Sequence, residues 1–515
     1  MSAPTATPAA LSQARTRASE SAPREYLNLI GGKWVPSRSG KSFENRNPAR
    51  TSDLIGTFPD SGPEDVDSAV QAASRAFTSW RLLPAPRRGE LIFRVAEILR
   101  ERKEELARLM TREMGKVLAE TRGDVQEAID MAYYIAAEGR RLAGVTVPSE
   151  LPNKFAMSVR QPLGVCSLIT PWNFPMAIPS WKIFPALVCG NTVVIKPASD
   201  TPGSAHHLVE ALVEAGVPDG VVNIVHGGGS TVGIPLVTHP DVKMISFTGS
   251  SDVGKTIAER SAKTLKRVSL ELGGKNAQIV MEDADLDLAV EGALWGAFGT
   301  TGQRCTATSR LIVMKEIHDE VLRRLRERAS KLRLGDGLEP GSEVGPLINR
   351  AQRDLVHSYV EIGKAEGATL VLGGAPADQG ALGEGAFYPP TIFDGVKPTM
   401  RIAQEEIFGP VLSVITVSSL EEAIQVLNGT PFGLSSSIYT RDVNRAMRAV
   451  RDIEAGITYV NGPTIGAEVQ LPFGGVKETG NGHREGGPTV IDTFTEWKSV
   501  YIDYSGRLQK AQIDR

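Results

Sequence analysis

Cys305 stands in Gly299-Thr300-Thr301-Gly302-Gln303-Arg304-Cys305-Thr306, a run of glycines and small polar residues with an arginine beside the thiol. Glycine opens backbone conformations closed to other residues, so such a loop can bring its own N–H groups against a ligand. A thiol there reads in two ways. It is either a buried structural cysteine or a nucleophile, whose pKa a positive charge or helix N-terminus would lower from the free value of about 8.5. A second stretch, Leu270-Glu271-Leu272-Gly273-Gly274-Lys275-Asn276, sets one carboxylate inside an apolar strand that runs into a double-glycine turn. Glu271 is then either a salt-bridged structural acid or a base whose pKa burial has raised. A nucleophile and a base remote in sequence can meet in a fold, and together they equip a site for covalent catalysis.

These residues need a scaffold. From Leu27 to Pro48 the pattern alternates and turns, reading as short strands, while 63–80 and 85–137 carry apolar residues at helical spacing. Leu163–Ile169, Thr192–Ile195, Val221–Val225, Val242–Phe247 and Val268–Leu272 read as apolar strands. Helices at 176–188, 202–215 and 252–264 lie between them, with a short one after Gly227-Gly228-Gly229. Strands and helices in turn mean a parallel sheet covered on both faces. After Cys305 the pattern restarts, with strands at 310–314, near 369–372, 411–417, 434–439 and 456–460, and helices at 316–334, 419–428 and 442–454. It reads as a second α/β domain, with the Glu271–Cys305 region as the crossing between the two. Residues 493–508 alternate like an edge strand, and an unpaired edge invites another subunit.

At 515 residues the chain is too long for one core. Its 41% hydrophobic and 23% charged residues are ordinary for a globular protein, and a net charge of −3 argues against a nucleic-acid groove. Cys166, Cys189 and Cys305 cannot build a disulfide framework, which fits a reducing compartment. Without a CxxC or a histidine cluster, no metal site is expected. No apolar run reaches the roughly 18 residues a membrane helix needs. Residues 1–23, rich in Ala, Ser, Thr and Pro, read as a disordered tail, and a cytoplasmic location is expected.

Gly249-Ser250-Ser251-Asp252-Val253-Gly254-Lys255-Thr256 matches the phosphate-loop expression of nucleotide triphosphatases and sits between a strand and a helix. "IVMED" at 279–283 resembles the acidic strand end that holds magnesium in such enzymes. A triphosphatase is therefore a rival. Against it, the match comes late in the α/β run, and a helix N-terminus can hold a dinucleotide pyrophosphate without a lysine.

Seven motifs stand in one order: "TPWNFP" at 170–175, "KPASDTP" at 196–202, "FTGSSDVG" at 247–254, "LELGGKN" at 270–276, "GQRCT" at 302–306, "EEIFGP" at 405–410 and "PFGGVKETGNGHREGG" at 472–487. Together they resemble the NAD(P)-dependent aldehyde dehydrogenase family, over roughly residues 27–505. The resemblance implies a Rossmann-like dinucleotide-binding domain from 24–141 and 162–273 and an α/β catalytic domain over 274–480. It adds a small β oligomerisation arm with the C-terminal tail, from 142–161 and 488–515, and a homodimer or homotetramer.

It also implies roles. Cys305 attacks the aldehyde, Asn173 and the Cys305 N–H hold the oxyanion, Glu271 activates water against the thioester, and Lys182 and Glu485 relay the proton. Lys196 reaches the adenosine ribose, Gly249 and Ser250 the pyrophosphate, and Glu406 with Phe408 the nicotinamide ribose and ring. Trp172, Ile169, Gly229, Phe247, Val253 and Leu272 join the cofactor set, and Phe174, Trp181, Arg304, Thr306 and Phe473 the substrate pocket. Taken alone, Asn173 reads equally as a turn residue, and Phe174 and Trp181 as core.

Ser199 departs from the glutamate that strict NAD users of the family often carry there, so both NAD and NADP are admitted. The presence of Glu271 counts against the CoA-acylating branch, and an intact Cys305, Glu271 and Asn173 against a structural homologue that has lost its site. "GQRCT" and "PTIGAE" at 463–468 resemble branches that oxidise carboxylate-bearing semialdehydes, such as those of 2-oxoglutarate and 2-aminoadipate. The Arg304 fork would then bind the carboxylate in bidentate fashion. Alternatively Arg304 tunes the thiol or pairs with Asp124 or Glu127, and the enzyme takes aliphatic and aromatic aldehydes broadly.

Overall fold

The computed structural model describes residues 23–513, so nearly all of the expected tail at 1–23 lies outside the described residues. Two seven-stranded sheets carry the fold. The first runs in the order Arg267–Glu271, Val242–Thr248, Val165–Ile169, Thr192–Lys196, Val222–Ile224, Asn28–Ile30, Lys33–Val35. Its first five strands are parallel, and the last two are added antiparallel. Strands such as Val-Cys-Ser-Leu-Ile at 165–169 are buried throughout, as sheets covered on both faces require. The second runs Thr369–Leu372, Thr391–Asp394, Val411–Val417, Arg310–Met314, Ala277–Val280, Ser435–Tyr439, Ile457–Val460, parallel except for its first pair.

Glu271 is the last residue of an edge strand in the first sheet, and six residues later the chain enters the middle of the second. Gly273-Gly274-Lys275-Asn276 makes that passage. Glycine is needed at 273 and 274: a Cβ there would lie 2.3 Å from a Glu406 carboxylate oxygen and 2.7 Å from the Cys305 carbonyl.

The single helix expected over 85–137 is three: Ala85–Glu101, Lys103–Met114 and Leu118–Glu138. Gly115, at φ 89°, ends the second in the left-handed conformation. The apolar period continues across the breaks because all three pack on the same core. The helix placed at 316–334 is shorter, His318–Ala329. Two helices of more than four residues had no counterpart in the sequence reading. Leu286–Phe298 is apolar on nearly every side, so its period is faint. Arg350–Ala365 is opened by Asn349, whose side chain accepts from the Gln352 N–H.

Thr495–Asp503 pairs antiparallel along its whole length with Lys154–Pro162, which also pairs with Thr146–Pro148. The outer edge of Thr495–Asp503 is unpaired in this sheet, and Trp497, Tyr501 and Ile502 on it are exposed.

Candidate active site

The nucleophile loop is held from several sides. Thr300 and Thr301 adopt left-handed backbone at φ 53° and 57°, a conformation β-branched residues resist. Glu120 accepts the Thr300 N–H at 2.6 Å, the Thr301 hydroxyl donates to the Gly345 carbonyl at 2.9 Å, and Gln303 Oε1 accepts from Ile348 at 2.9 Å. Asn276 donates from its amide to the carbonyls of Cys305 at 2.7 Å and Ala307 at 3.0 Å. Asn173 donates to the Gln303 carbonyl at 3.0 Å, which brings its amide against the same loop with one N–H left over.

Cys305 and Glu271 line one cavity of about 140 Å³, together with Phe174, Trp181, Thr306 and Phe473. Burial, then the charges of Glu406 and Glu271, push the Cys305 thiol up to about 12. The sequence expectation that a neighbouring charge lowers it is reversed. Arg304 beside it is engaged elsewhere, its Nε on the Thr300 hydroxyl at 2.8 Å and its Nη2 on Glu120 at 3.4 Å. The Glu271 carboxyl oxygens are buried without a hydrogen-bond partner, and burial with the nearby Glu485 raises its pKa well above the carboxylate range. Beside it Lys182 and Glu485 form a buried ion pair, and Lys182 also donates to the Ser246 hydroxyl at 2.8 Å.

The strand ends of the first sheet gather groups that suit a polar ligand. Lys196, pulled down to about 8 by burial, donates to the Pro197 and Gly227 carbonyls, and the Ser199 hydroxyl to Gly227 at 3.2 Å. Ile169 and Phe247 end buried strands beside it. Gly249 and Ser250 precede the Ser251–Ala262 helix, whose N-cap makes no side-chain hydrogen bond, leaving the first N–H groups for a ligand. Val253 on that first turn is exposed, and Gly229 faces open space. Glu406 accepts the Gly274 N–H at 2.9 Å, and Phe408, at φ 57°, meets Trp172 edge-on at 5.3 Å. Bared helix-end donors, a buried lysine and a half-buried carboxylate are groups that fit a dinucleotide's pyrophosphate and two riboses.

The aldehyde dehydrogenase family model matches residues 34–500. The chain belongs to the aldehyde dehydrogenase family. The enzyme is 44% identical to the alpha-ketoglutaric semialdehyde dehydrogenase of Bacillus subtilis over 93% of this chain and 98% of that one. It is 43% identical to the alpha-ketoglutarate semialdehyde dehydrogenase of Haloferax volcanii, over 93% and 99%. Among solved structures, betaine aldehyde dehydrogenase of Staphylococcus aureus in complex with NAD+ superposes with a TM-score of 0.93 at 35% identity, covering 96% of this chain and 98% of that one. The enzyme is thus an NAD(P)-dependent oxidoreductase acting on aldehydes. Among the described residues no group of three His, Cys, Asp or Glu could hold a metal, and no helix is long and apolar enough to cross a membrane.

The triphosphatase reading has no geometry behind it. Lys255 is turned outward to Glu478 at 2.7 Å, and Asp283 lies beyond a strand of the other sheet, held by Thr440 and Arg441.

Sequence reasoning passed over three residues here. Asn276 was quoted only as a motif member, yet it grips the nucleophile's carbonyl. Lys275 is buried with no hydrogen-bond partner and drops to about 7, chiefly through burial. Glu120 holds the strained turn and Arg304 at once. The signal for it was available: Glu120, Asp124 and Glu127 share one face of the Leu118–Glu138 helix.

Proposed function

We propose that the enzyme oxidises a short aldehyde carrying a carboxylate, 2-oxoglutarate semialdehyde foremost, to the corresponding acid. The observation that carries this reading is Arg304 on the wall of the catalytic cavity. Its Nε and Nη2 are taken by Thr300 and Glu120, so the bidentate grip expected from sequence is not on offer, and Nη1 is the nitrogen left for a ligand. Gly466 and Ala467 of the "PTIGAE" loop line the same cavity. The two semialdehyde dehydrogenases above support it, whereas the betaine aldehyde dehydrogenase shows that fold alone does not choose a substrate.

In this reading Cys305 attacks as the thiolate, and burial makes that ionisation the costly part of the resting site. The oxyanion meets the free amide N–H of Asn173 and the Cys305 N–H, donors worth about 10²–10³-fold each. NAD or NADP, held by Lys196, Gly249, Ser250, Glu406 and Phe408, supplies the acceptor for the hydride. Glu271 then takes a proton from the water that cleaves the thioester, and the Lys182–Glu485 pair carries it outward. Ser199 offers neither a carboxylate to repel a 2′-phosphate nor one to hold the diol, so both nucleotides serve. The exposed arm sheet supports a homodimer or homotetramer.

Arg304→Ala tests the substrate. Its KM for 2-oxoglutarate semialdehyde should rise about thirtyfold relative to that for hexanal, the loss of a charged hydrogen bond of about 2 kcal/mol. Because both substrates meet the same altered loop, general damage cancels in the ratio. Equal losses would make this a broad aliphatic aldehyde dehydrogenase.

A further inference from the structure

The three carboxylates on one face of the Leu118–Glu138 helix are not equivalent. Glu120 holds the Thr300 N–H and Arg304. Asp124 accepts from Lys116 at 2.9 Å and from the N–H of Ala177 at 2.8 Å, at the start of the helix that bears Trp181 and Lys182. Both are fixed by the protein itself. Glu127, one turn further on, forms no ion pair among the described residues. The indole N–H of Trp181, on the wall of the same cavity, is buried with no partner at hydrogen-bond distance.

Glu127 sits at a junction. A second cavity, of about 790 Å³, meets the catalytic one at Glu127, Phe174 and Arg304. Any substrate extending from Cys305 toward the larger cavity passes these three. Much of the remaining wall is apolar (Ile178, Leu272, Leu434, Phe473); beside the Thr248 and Thr306 hydroxyls, the polar groups at or next to the junction are the Trp181 N–H, Arg304 Nη1 and the Glu127 carboxyl. Two are donors only, and two donors call for an anionic or carbonyl end. The third matches it only when protonated.

We propose that Glu127 determines specificity by donating a hydrogen bond, as the neutral acid, to the substrate carboxylate beside Trp181 and Arg304. This rests on the carboxylate-bearing substrate proposed above. The surroundings support it. Glu127 is half-buried; desolvation there, then the charge of Asp124, pushes it up to about 7, against the pull of Lys116 and Arg304. The remaining charges near it are Glu120 on its own helix and Glu271 with the Lys182–Glu485 pair across the catalytic cavity. Arg328, Lys331, Glu291 and Glu343 also line the larger one, Arg328 paired with Glu291, Lys331 with Glu327 and Glu343 with Arg333. An incoming carboxylate adds negative charge and shifts Glu127 further toward the acid. Binding therefore takes up one proton, and affinity for an anionic substrate falls as pH rises through the Glu127 pKa, up to about tenfold per unit.

The experiment measures KM for 2-oxoglutarate semialdehyde and for hexanal between pH 6 and 9, in wild type, Glu127→Gln and Glu127→Leu, with the NAD(P)H burst confirming an intact site. In wild type the ratio of the two KM values should climb about tenfold per pH unit above about 7. Glu127→Gln, whose amide donates at every pH, should keep the ratio low and flat. Glu127→Leu should hold it high at pH 6. A pH-dependent ratio that persists in Glu127→Gln, or an unaltered ratio in Glu127→Leu, overturns the assignment. Wild type that shows no preference for the semialdehyde even at pH 6 sinks the substrate reading instead, so the two failures are distinguishable.

Discussion

Burial raises the pKa of both reacting groups, and that has kinetic consequences. Glu271 is held well above the carboxylate range by burial and Glu485. Below its pKa it carries the proton it must accept, so deacylation should accelerate as pH rises and level off once it is ionised. Glu271→Gln should retain the NAD(P)H burst, because acylation does not need the base, while steady-state turnover falls by about 10²–10⁴-fold and loses that rising limb. Cys305→Ala should give no burst. Normal turnover in Glu271→Gln would mean another group is the base. The residue types of this pair were legible in sequence because each sits alone in a glycine-rich motif. Their protonation was not. The sequence shows Arg304 next to Cys305 but not that the guanidinium is drawn away to Glu120, nor that the thiol is half-buried in a cavity shared with Glu271.

Between residue and molecule, the Leu118–Glu138 helix does the positioning. Its Glu120 fixes the turn before the nucleophile, and its Asp124 binds the start of the helix that carries Trp181 and Lys182. Lys116 and Asp124 are nearly inaccessible, at 1% and 0%, and Lys116 also lies 3.5 Å from the Phe174 ring centroid. Removing one member of such a pair strands the other as a buried charge. Asp124→Ala should therefore lower unfolding free energy by about 3–5 kcal/mol in denaturant titration. Glu104→Ala, which breaks the exposed pair with Arg122, should cost under about 1 kcal/mol. Similar losses in the two variants would refute the buried pair's role. Helix periodicity revealed these segments but not their breaks at Arg102 and Gly115, since packing on one core keeps the apolar rhythm in phase. Leu286–Phe298 escaped notice for the opposite reason: Leu288 and Trp295 make even its exposed face partly apolar, so it has little rhythm to see.

At the scale of the whole molecule, the two parallel sheets were readable from the alternation of strands and helices. What Thr495–Asp503 is for depends on something outside a single chain. One edge of this strand is used along its full length by Lys154–Pro162, and among the described residues the other is open. Trp497 and Tyr501 are 51% and 66% exposed, with Val147, Phe155 and Ile502 also bare on this small sheet. An open edge combined with exposed aromatics is costly to leave in water and is the usual ground for association. Phe494, just before the strand, is buried in the core, and its carbonyl accepts from Asn191 at 2.8 Å. A cut that tests assembly without damaging the fold must therefore spare it. Deleting residues 497–515 should give a smaller particle by light scattering, with circular dichroism and the unfolding midpoint of the main body retained. Trp497→Asp with Tyr501→Asp, which leaves the strand in place, should weaken assembly in the same direction. If both variants keep the parental mass, subunits meet through another surface, and this sheet edge is solvent-facing by design of its own sequence.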